Sequence, residues 1–244
     1  MYAPTEIIVR NFLRENILPT AFCPGCGNGI IMRAISDAVY QLGYSNFMKF
    51  VFVSSIGCSG WIPNPYFKAD SIHVLHGRAI PVAAGIKLCR PDLNVIVIGG
   101  DGDLAGIGLG HLIHAARRNF DLLTIMVNNM FFAMTGGQTS PTSPFGLKTP
   151  SSPYGNIDKP LNVCKLIVST GANYVARWTV AHYFPMRTSI MEALKIEGFR
   201  FIEVISTCAT RIARAINASP REMIKKLSRE YSIGGLEDAT SIGV

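Results

Sequence analysis

Charge is scarce in this chain: 16% of its 244 residues are Asp, Glu, Lys or Arg, against 48% hydrophobic. Disorder needs the reverse balance, so a folded chain with a sizeable core is expected. No apolar run approaches the roughly 18 residues of a membrane span. The start, Met1-Tyr2-Ala3-Pro4-Thr5-Glu6, lacks the basic and then apolar order of a signal peptide. A cytoplasmic protein with no membrane span is therefore expected. Aromatic-interleaved basic stripes are also lacking, which argues against nucleic acid as a partner. The basic residues still outnumber the acidic ones, 23 to 16, and the net charge of +7 suits acidic partners. They are scattered, apart from Arg117-Arg118 and the stretch from Arg211 to Arg229. So apolar a composition points to surface covered by another subunit.

The six cysteines stand at 23, 26, 58, 89, 164 and 208. With no sign of secretion, Cys23-x-x-Cys26 reads as metal, cluster or redox chemistry rather than a disulfide. A tetrathiolate zinc site usually brings a second Cys-x-x-Cys, which is absent. Cys58 and Cys208 fall in loops and raise the loop thiols to four, the number a cubane [4Fe–4S] cluster needs. Spacing alone leaves zinc and cluster open. Cys89 and Cys164 lie in apolar surroundings and read as core thiols.

Periodicity predicts an alternating β/α order. Residues 1–22 read as an N-terminal arm. Ile30, Ile31, Ala34, Ile35, Ala38, Val39 and Leu42 recur at helical spacing. Strands are predicted at 50–53, 94–98, 122–127, 174–177 and 201–205, with helices at 80–89, 108–118, 161–169 and 185–197. A Thr/Gly/Ser/Pro-rich loop occupies 135–160, and Ser219-Pro220-Arg221-Glu222 caps a terminal helix. The expected fold is α/β, a doubly wound and mostly parallel sheet over 23–215, followed by a helix and tail over 216–244.

Gly100-Asp101-Gly102 ends one predicted strand and Asn128-Asn129 the next. Glycines let backbone amides approach an oxyanion, and the helix N-terminus behind them favours negative charge. An aspartate and an amide oxygen are hard ligands of the kind Mg²⁺ takes beside phosphate oxygens. Adjacent parallel strands would bring Asp101 and Asn129 to one edge.

Gly-Asp-Gly through Asn-Asn resembles the thiamine diphosphate-binding motif. Cys23-Pro24-Gly25-Cys26-Gly27, Ile56-Gly57-Cys58-Ser59-Gly60, His76-Gly77-Arg78-Ala79-Ile80-Pro81, His111 to Asn119 and Met134 to Thr142 narrow the likeness. Together these blocks resemble the β subunit of 2-oxoacid:ferredoxin oxidoreductases. The resemblance implies Mg²⁺ on Asp101, Asn129 and the Phe131 carbonyl. It also implies thiamine diphosphate against Ile56, Gly57, Cys58, Ser59, His76, Gly77, Arg78, Ala79, Gly102, Asp103, Ala133 and Met134. Two departures are visible: Asn128 where many relatives have Asp, and Phe132 where they have Tyr.

The same resemblance favours one [4Fe–4S] cluster on Cys23, Cys26, Cys58 and Cys208. The implied activity is CoA-dependent oxidative decarboxylation of a 2-oxoacid, with electrons leaving to ferredoxin. 2-Oxoglutarate is favoured; pyruvate and branched-chain oxoacids stay open. The activating glutamate is expected on a partner α subunit, with γ and δ subunits as further candidates. A non-redox thiamine decarboxylase subunit and a scaffold that lost its chemistry are the rival readings. His111 and His114, one turn apart without a third ligand, read as structural or interface residues.

Overall fold

In the computed structural model, residues 3–211, 218–234, 236 and 241–244 are described. The strands are β1 (Phe50–Ser54), β2 (Asp70–His73), β3 (Asn94–Gly100), β4 (Leu122–Asn128), β5 (Phe131–Phe132), β6 (Gln138–Thr139), β7 (Tyr174–Thr179), β8 (Phe199–Ile205), β9 (Ser232–Ile233) and β10 (Ser241–Ile242). The helices are α1 (Thr5–Phe12), α2 (Asn28–Gln41), α3 (Ala79–Cys89), α4 (Leu109–Arg117), α5 (Val163–Val168), α6 (Tyr183–Ala193) and α7 (Pro220–Glu230).

Every residue of β1, β4, β7 and β8 is buried, Arg177, Arg200 and Glu203 included, as in a sheet covered on both faces. Six strands form one wholly parallel sheet in the order β2-β1-β3-β4-β8-β7. Alternate side chains enter two separate cores. Phe50, Phe52, Ile96, Ile98, Leu123 and Ile125 meet α1, α2 and α6. Val51, Val53, Val95, Val97, Met126 and Phe201 meet α3, α4 and α5 on the other face. The doubly wound expectation holds.

Three features depart from the sequence reading. The N-terminal arm contains α1, whose buried Phe12 meets Phe47 edge-on at 4.9 Å. The edge strand β2 was not expected, because Asp70-Ser71-Ile72-His73 carries one apolar residue and is largely exposed. Between β3 and α4, residues 102–107 form an over-wide π-type turn, with the Gly108 amide bonded to the Asp103 carbonyl at 2.9 Å. The terminal helix is capped as expected, by a reciprocal Ser219–Glu222 capping box. The predicted boundary after 215 falls outside the described residues. No helix among the described residues is long and apolar enough to cross a membrane.

The chain leaves β1 outward to β2, then returns to β3 on the other side of β1. Such a reversal opens a crevice at the carboxyl ends of the strands, where open α/β sheets bind ligands.

Candidate cofactor cleft and cysteine quartet

The cleft at that reversal is lined by Ile56, Gly57, Cys58 and Ser59 after β1, by His76, by Gly100 to Asp103 after β3, and by Asn129 and Phe131 to Thr135 after β4. Asp101 and Asn129 therefore line one cleft from adjacent strand ends, as predicted. Ala133 and Met134 join them. Gly77, Arg78 and Ala79 follow His76 but are not among the residues that line the cleft. Arg78 Nη1 lies 3.2 Å from His111 Nε2, and Ala79 is buried in the first turn of α3.

The two aspartates do different work. Asp103 is buried and takes the Ser55 hydroxyl on Oδ2 and the Gly77 amide on Oδ1 at 2.6 Å. His76 Nδ1 lies 3.0 Å from the same Oδ1, close enough for an ion pair but out of line for a hydrogen bond. Burial raises the Asp103 carboxyl, opposed by Ser55, Gly77 and the nearby His76 and His73 imidazoles. With both oxygens engaged, Asp103 ties the β1 and β2 loops to β3. Asp101 is equally buried, and burial lifts it to about 6 against hydrogen bonds from Ser140, Thr142 and backbone amides. A buried carboxylate penalised in its charged form, facing a cleft, suits a cation.

A relay behind the cleft holds the two strand ends in register. The Thr142 hydroxyl sits 2.8 Å from Asp101 Oδ2 and 2.9 Å from Asn128 Oδ1 and donates its one proton to either. Asn128 Nδ2 donates to Glu203 Oε1 at 2.7 Å, and Arg177 Nε donates to Glu203 Oε2 at 2.6 Å. Met130 takes a left-handed φ of 65°, uncommon for a side-chain-bearing residue. Its amide bonds Asn128 Oδ1 at 2.9 Å and its carbonyl accepts from Ser143 Oγ at 2.6 Å. This turn swings Asn129 and Phe131 to the same rim. The long 135–160 loop thus works through Ser140, Thr142 and Ser143. Thr142, Ser55 and Glu203 were missed as site residues, because each acts across 41 or more positions of sequence.

Gly102 has a packing reason as well: a Cβ there would meet the Phe132 ring at 2.3 Å. Phe132 in turn stands edge-on to His76 at 6.1 Å. No described carboxylate lines the cleft besides Asp101 and Asp103.

The four loop cysteines gather at the same sheet edge. The Cys26 amide turns back onto the Cys23 carbonyl at 2.9 Å, and the Gly27 amide reaches the Thr207 carbonyl beside Cys208. Asn28 Nδ2 donates to the Cys58 carbonyl at 3.0 Å. Burial pushes the Cys26 thiol up to about 11, and Cys208, Cys58 and Cys23 add to it; burial, Cys208 and Cys23 likewise raise Cys58. Four thiols that feel one another share one locale. Among the described residues, no three His, Cys, Asp or Glu side chains are close enough to hold a single metal ion. Zinc at about 2.3 Å from each sulfur draws thiolates close together, whereas the corners of a cubane hold them further apart. Four thiols in one locale are the donor number of either centre.

The remaining predicted residues resolve simply. Cys164 is buried, as expected, and donates to Glu203 Oε2 at 3.2 Å. Cys89 is exposed at the end of α3, contrary to its reading as a core thiol, because the apolar run around it continues to the rim of the helix. His114 is exposed, and His111 meets Arg78 rather than a metal set.

A parallel sheet carrying Asp101 and Asn129 on adjacent strand ends has the form of a thiamine-dependent enzyme. Residues 55–204 match the thiamine pyrophosphate enzyme C-terminal TPP-binding domain. Over 223 residues the chain is 47% identical to the 2-oxoglutarate synthase subunit KorB of Methanocaldococcus jannaschii, covering 91% of this chain and 82% of that protein. Over 190 residues it is 45% identical to the 2-oxoacid:ferredoxin oxidoreductase subunit beta of Saccharolobus solfataricus, covering 78% of this chain and 62% of that one. Among solved structures, the 2-oxoglutarate:ferredoxin oxidoreductase of Magnetococcus marinus, with 2-oxoglutarate, coenzyme A and succinyl-CoA bound, superposes with a TM-score of 0.84. It is 32% identical, over 95% of this chain and 82% of that one. The chain belongs to the thiamine pyrophosphate enzymes and, within them, to the β subunits of the 2-oxoacid:ferredoxin oxidoreductases.

Proposed function

We propose that this chain is the cofactor-bearing half of a complex that converts 2-oxoglutarate and coenzyme A to succinyl-CoA and CO₂, passing two electrons to ferredoxin. The observation that carries this is the double membership of one loop: Cys58 lines the cleft with Asp101 and Asn129 and belongs to the thiol quartet. The site of electron release and a one-electron acceptor would then lie side by side.

Asp101, Asn129 Oδ1 and the Phe131 carbonyl would hold Mg²⁺, and Mg²⁺ the diphosphate. Bound thiamine diphosphate supplies the carbanion that attacks the 2-oxo carbon and the electron sink when CO₂ departs. This chain's residues orient and exclude. Asp103 fixes the Gly77 amide, and Thr142 keeps the two strand ends in register. Cys23, Cys26, Cys58 and Cys208 would carry one [4Fe–4S] cluster, a reading supported by the four thiols sharing one locale in a chain of this family. The reducing cytoplasm is where such thiolates persist.

Both cleft carboxylates are occupied, Asp101 facing the cation position and Asp103 by its three neighbours. The carboxylate that activates the aminopyrimidine must come from elsewhere, and a partner α subunit is the source. Ile56 and Met134 at the cleft, with Leu75 and Ile107 near Gly77, expose large apolar surface at the rim that such a partner would cover. Iron and acid-labile sulfide after anaerobic purification test the cluster. About four of each per chain with a reduced-cluster EPR signal are expected; zinc, or no metal in a folded sample, would move the protein to the non-redox decarboxylases.

A further inference from the structure

The basic stretch near the C-terminus takes on a definite shape in the fold. Along α7, Arg221, Lys225 and Arg229 recur every fourth residue, so they form one stripe along the helix, about 12 Å from first to last. All three are exposed. Lys226 and Glu230 pair with each other on a neighbouring row at 3.6 Å, and Glu222 is engaged in the capping box. Among the described residues no carboxylate forms a salt bridge with the stripe. Single surface charges are common, but three of one sign in line, on a chain with a net charge of +7, form a directed positive field.

The position of the stripe adds a second, independent observation. Pro220, the first residue of α7, presses on the cysteine loop: a Cβ on Gly25 would fall 2.3 Å from Pro220 Cβ. Gly25 lies between Cys23 and Cys26, and its carbonyl accepts the Thr207 hydroxyl at 2.8 Å. The helix therefore starts on the loop that carries two of the four thiols, and the stripe leads outward from there. Cys23 is the exposed member of the quartet.

We propose that the Arg221–Lys225–Arg229 face of α7 is the docking surface for an acidic one-electron carrier protein of the ferredoxin class, holding it over the cysteine loop. This rests on the reading that the quartet carries the cluster. Electron transfer needs the two redox groups close but only a brief encounter, and steering by opposite charge gives fast association without tight binding. A stripe abutting the donor's own loop supplies both proximity and orientation.

The test uses the complete anaerobic complex with its partner subunit, 2-oxoglutarate and coenzyme A. Two acceptors are compared: a bacterial 2[4Fe–4S] ferredoxin of strongly negative net charge, and methyl viologen, a small cation that needs no docking face. For R221E/K225E/R229E, the KM for ferredoxin should rise about tenfold or more, with methyl viologen reduction holding within about twofold. The wild-type dependence of ferredoxin KM on salt should be largely lost. The R221Q/K225Q/R229Q variant should lie between the two, and it serves if charge reversal unfolds the helix. Unchanged ferredoxin KM and salt dependence in both variants, with wild-type viologen activity intact, would overturn the docking face alone. A wild-type complex that reduces neither acceptor would overturn the functional reading, and the docking face with it.

Discussion

The cofactor cleft and the cysteine quartet lie on one sheet edge and share Cys58, yet they are built in opposite ways. In the cleft, polar side chains hold polar side chains. Thr142 spans Asp101 and Asn128, Glu203 holds Asn128, and Asp103 collects Ser55, Gly77 and His76. In the quartet, backbone tethers position the loops, and Cys208 Sγ lies 3.8 Å from Thr210 Oγ1. The cleft is preorganised by side-chain hydrogen bonds, whereas on the proposed reading the quartet is completed by an inorganic centre. Metal-free folding should therefore preserve the first far better than the second.

The sharpest way to break this contrast is Asp101→Ala. Mg²⁺-dependent thiamine diphosphate affinity should fall more than about 100-fold, read by quenching of tryptophan fluorescence. Because Asp101 is a buried carboxyl that burial disfavours in its charged form, the melting temperature should hold or rise. Cys58→Ala should do the reverse: iron should fall from about four to below about one per chain, while cofactor affinity changes little. Loss of both functions in either variant would mean that the two sites form one unit.

Glu203→Ala tests the relay between strand ends. It removes the Glu203 carboxylate from the buried Arg177 and frees Asn128, so urea unfolding should show a loss of about 3 kcal/mol. Mg²⁺ affinity should drop about tenfold, as for a partner that orients a ligand. The smallest effect lies far from both sites. Burial would raise the Asp121 carboxyl, but Lys87 and Arg200 hold it below its usual range. A depressed carboxyl contributes stability above its unfolded value near 4, and that stability is lost as pH falls through the lower folded value. Asp121→Asn should flatten this acid limb by under about 1 kcal/mol, since the carboxylate is part-exposed.

Legibility in the sequence followed the range of the forces involved. Strands β1, β3 and β4 were plain because apolar runs such as Val95-Ile96-Val97-Ile98 suit burial on both faces, and β8 was legible from Phe201 to Ile205 despite Glu203. Strand β2 was hidden by its exposed, mostly polar edge. The convergence of Asp101 and Asn129 was legible because both end adjacent parallel strands. Thr142 stood in a recognised block with no visible task, and Glu203 sat in a strand with no sign of its partners. Both depend on tertiary contacts that neither periodicity nor local spacing encodes. Helix α7 was legible from its Ser219 cap, but its seat on Gly25 was not.

The proposed function joins carbon chemistry in the cleft to electron capture at the quartet, and one mixing experiment reads both. The anaerobic complex with its partner subunit receives 2-oxoglutarate and coenzyme A without an external acceptor. The visible absorbance of the oxidised cluster should bleach as CO₂ is released, with a reduced-cluster EPR signal growing in step. Release of CO₂ with no bleaching of an intact cluster would contradict the account and leave a decarboxylase whose cysteines serve another purpose.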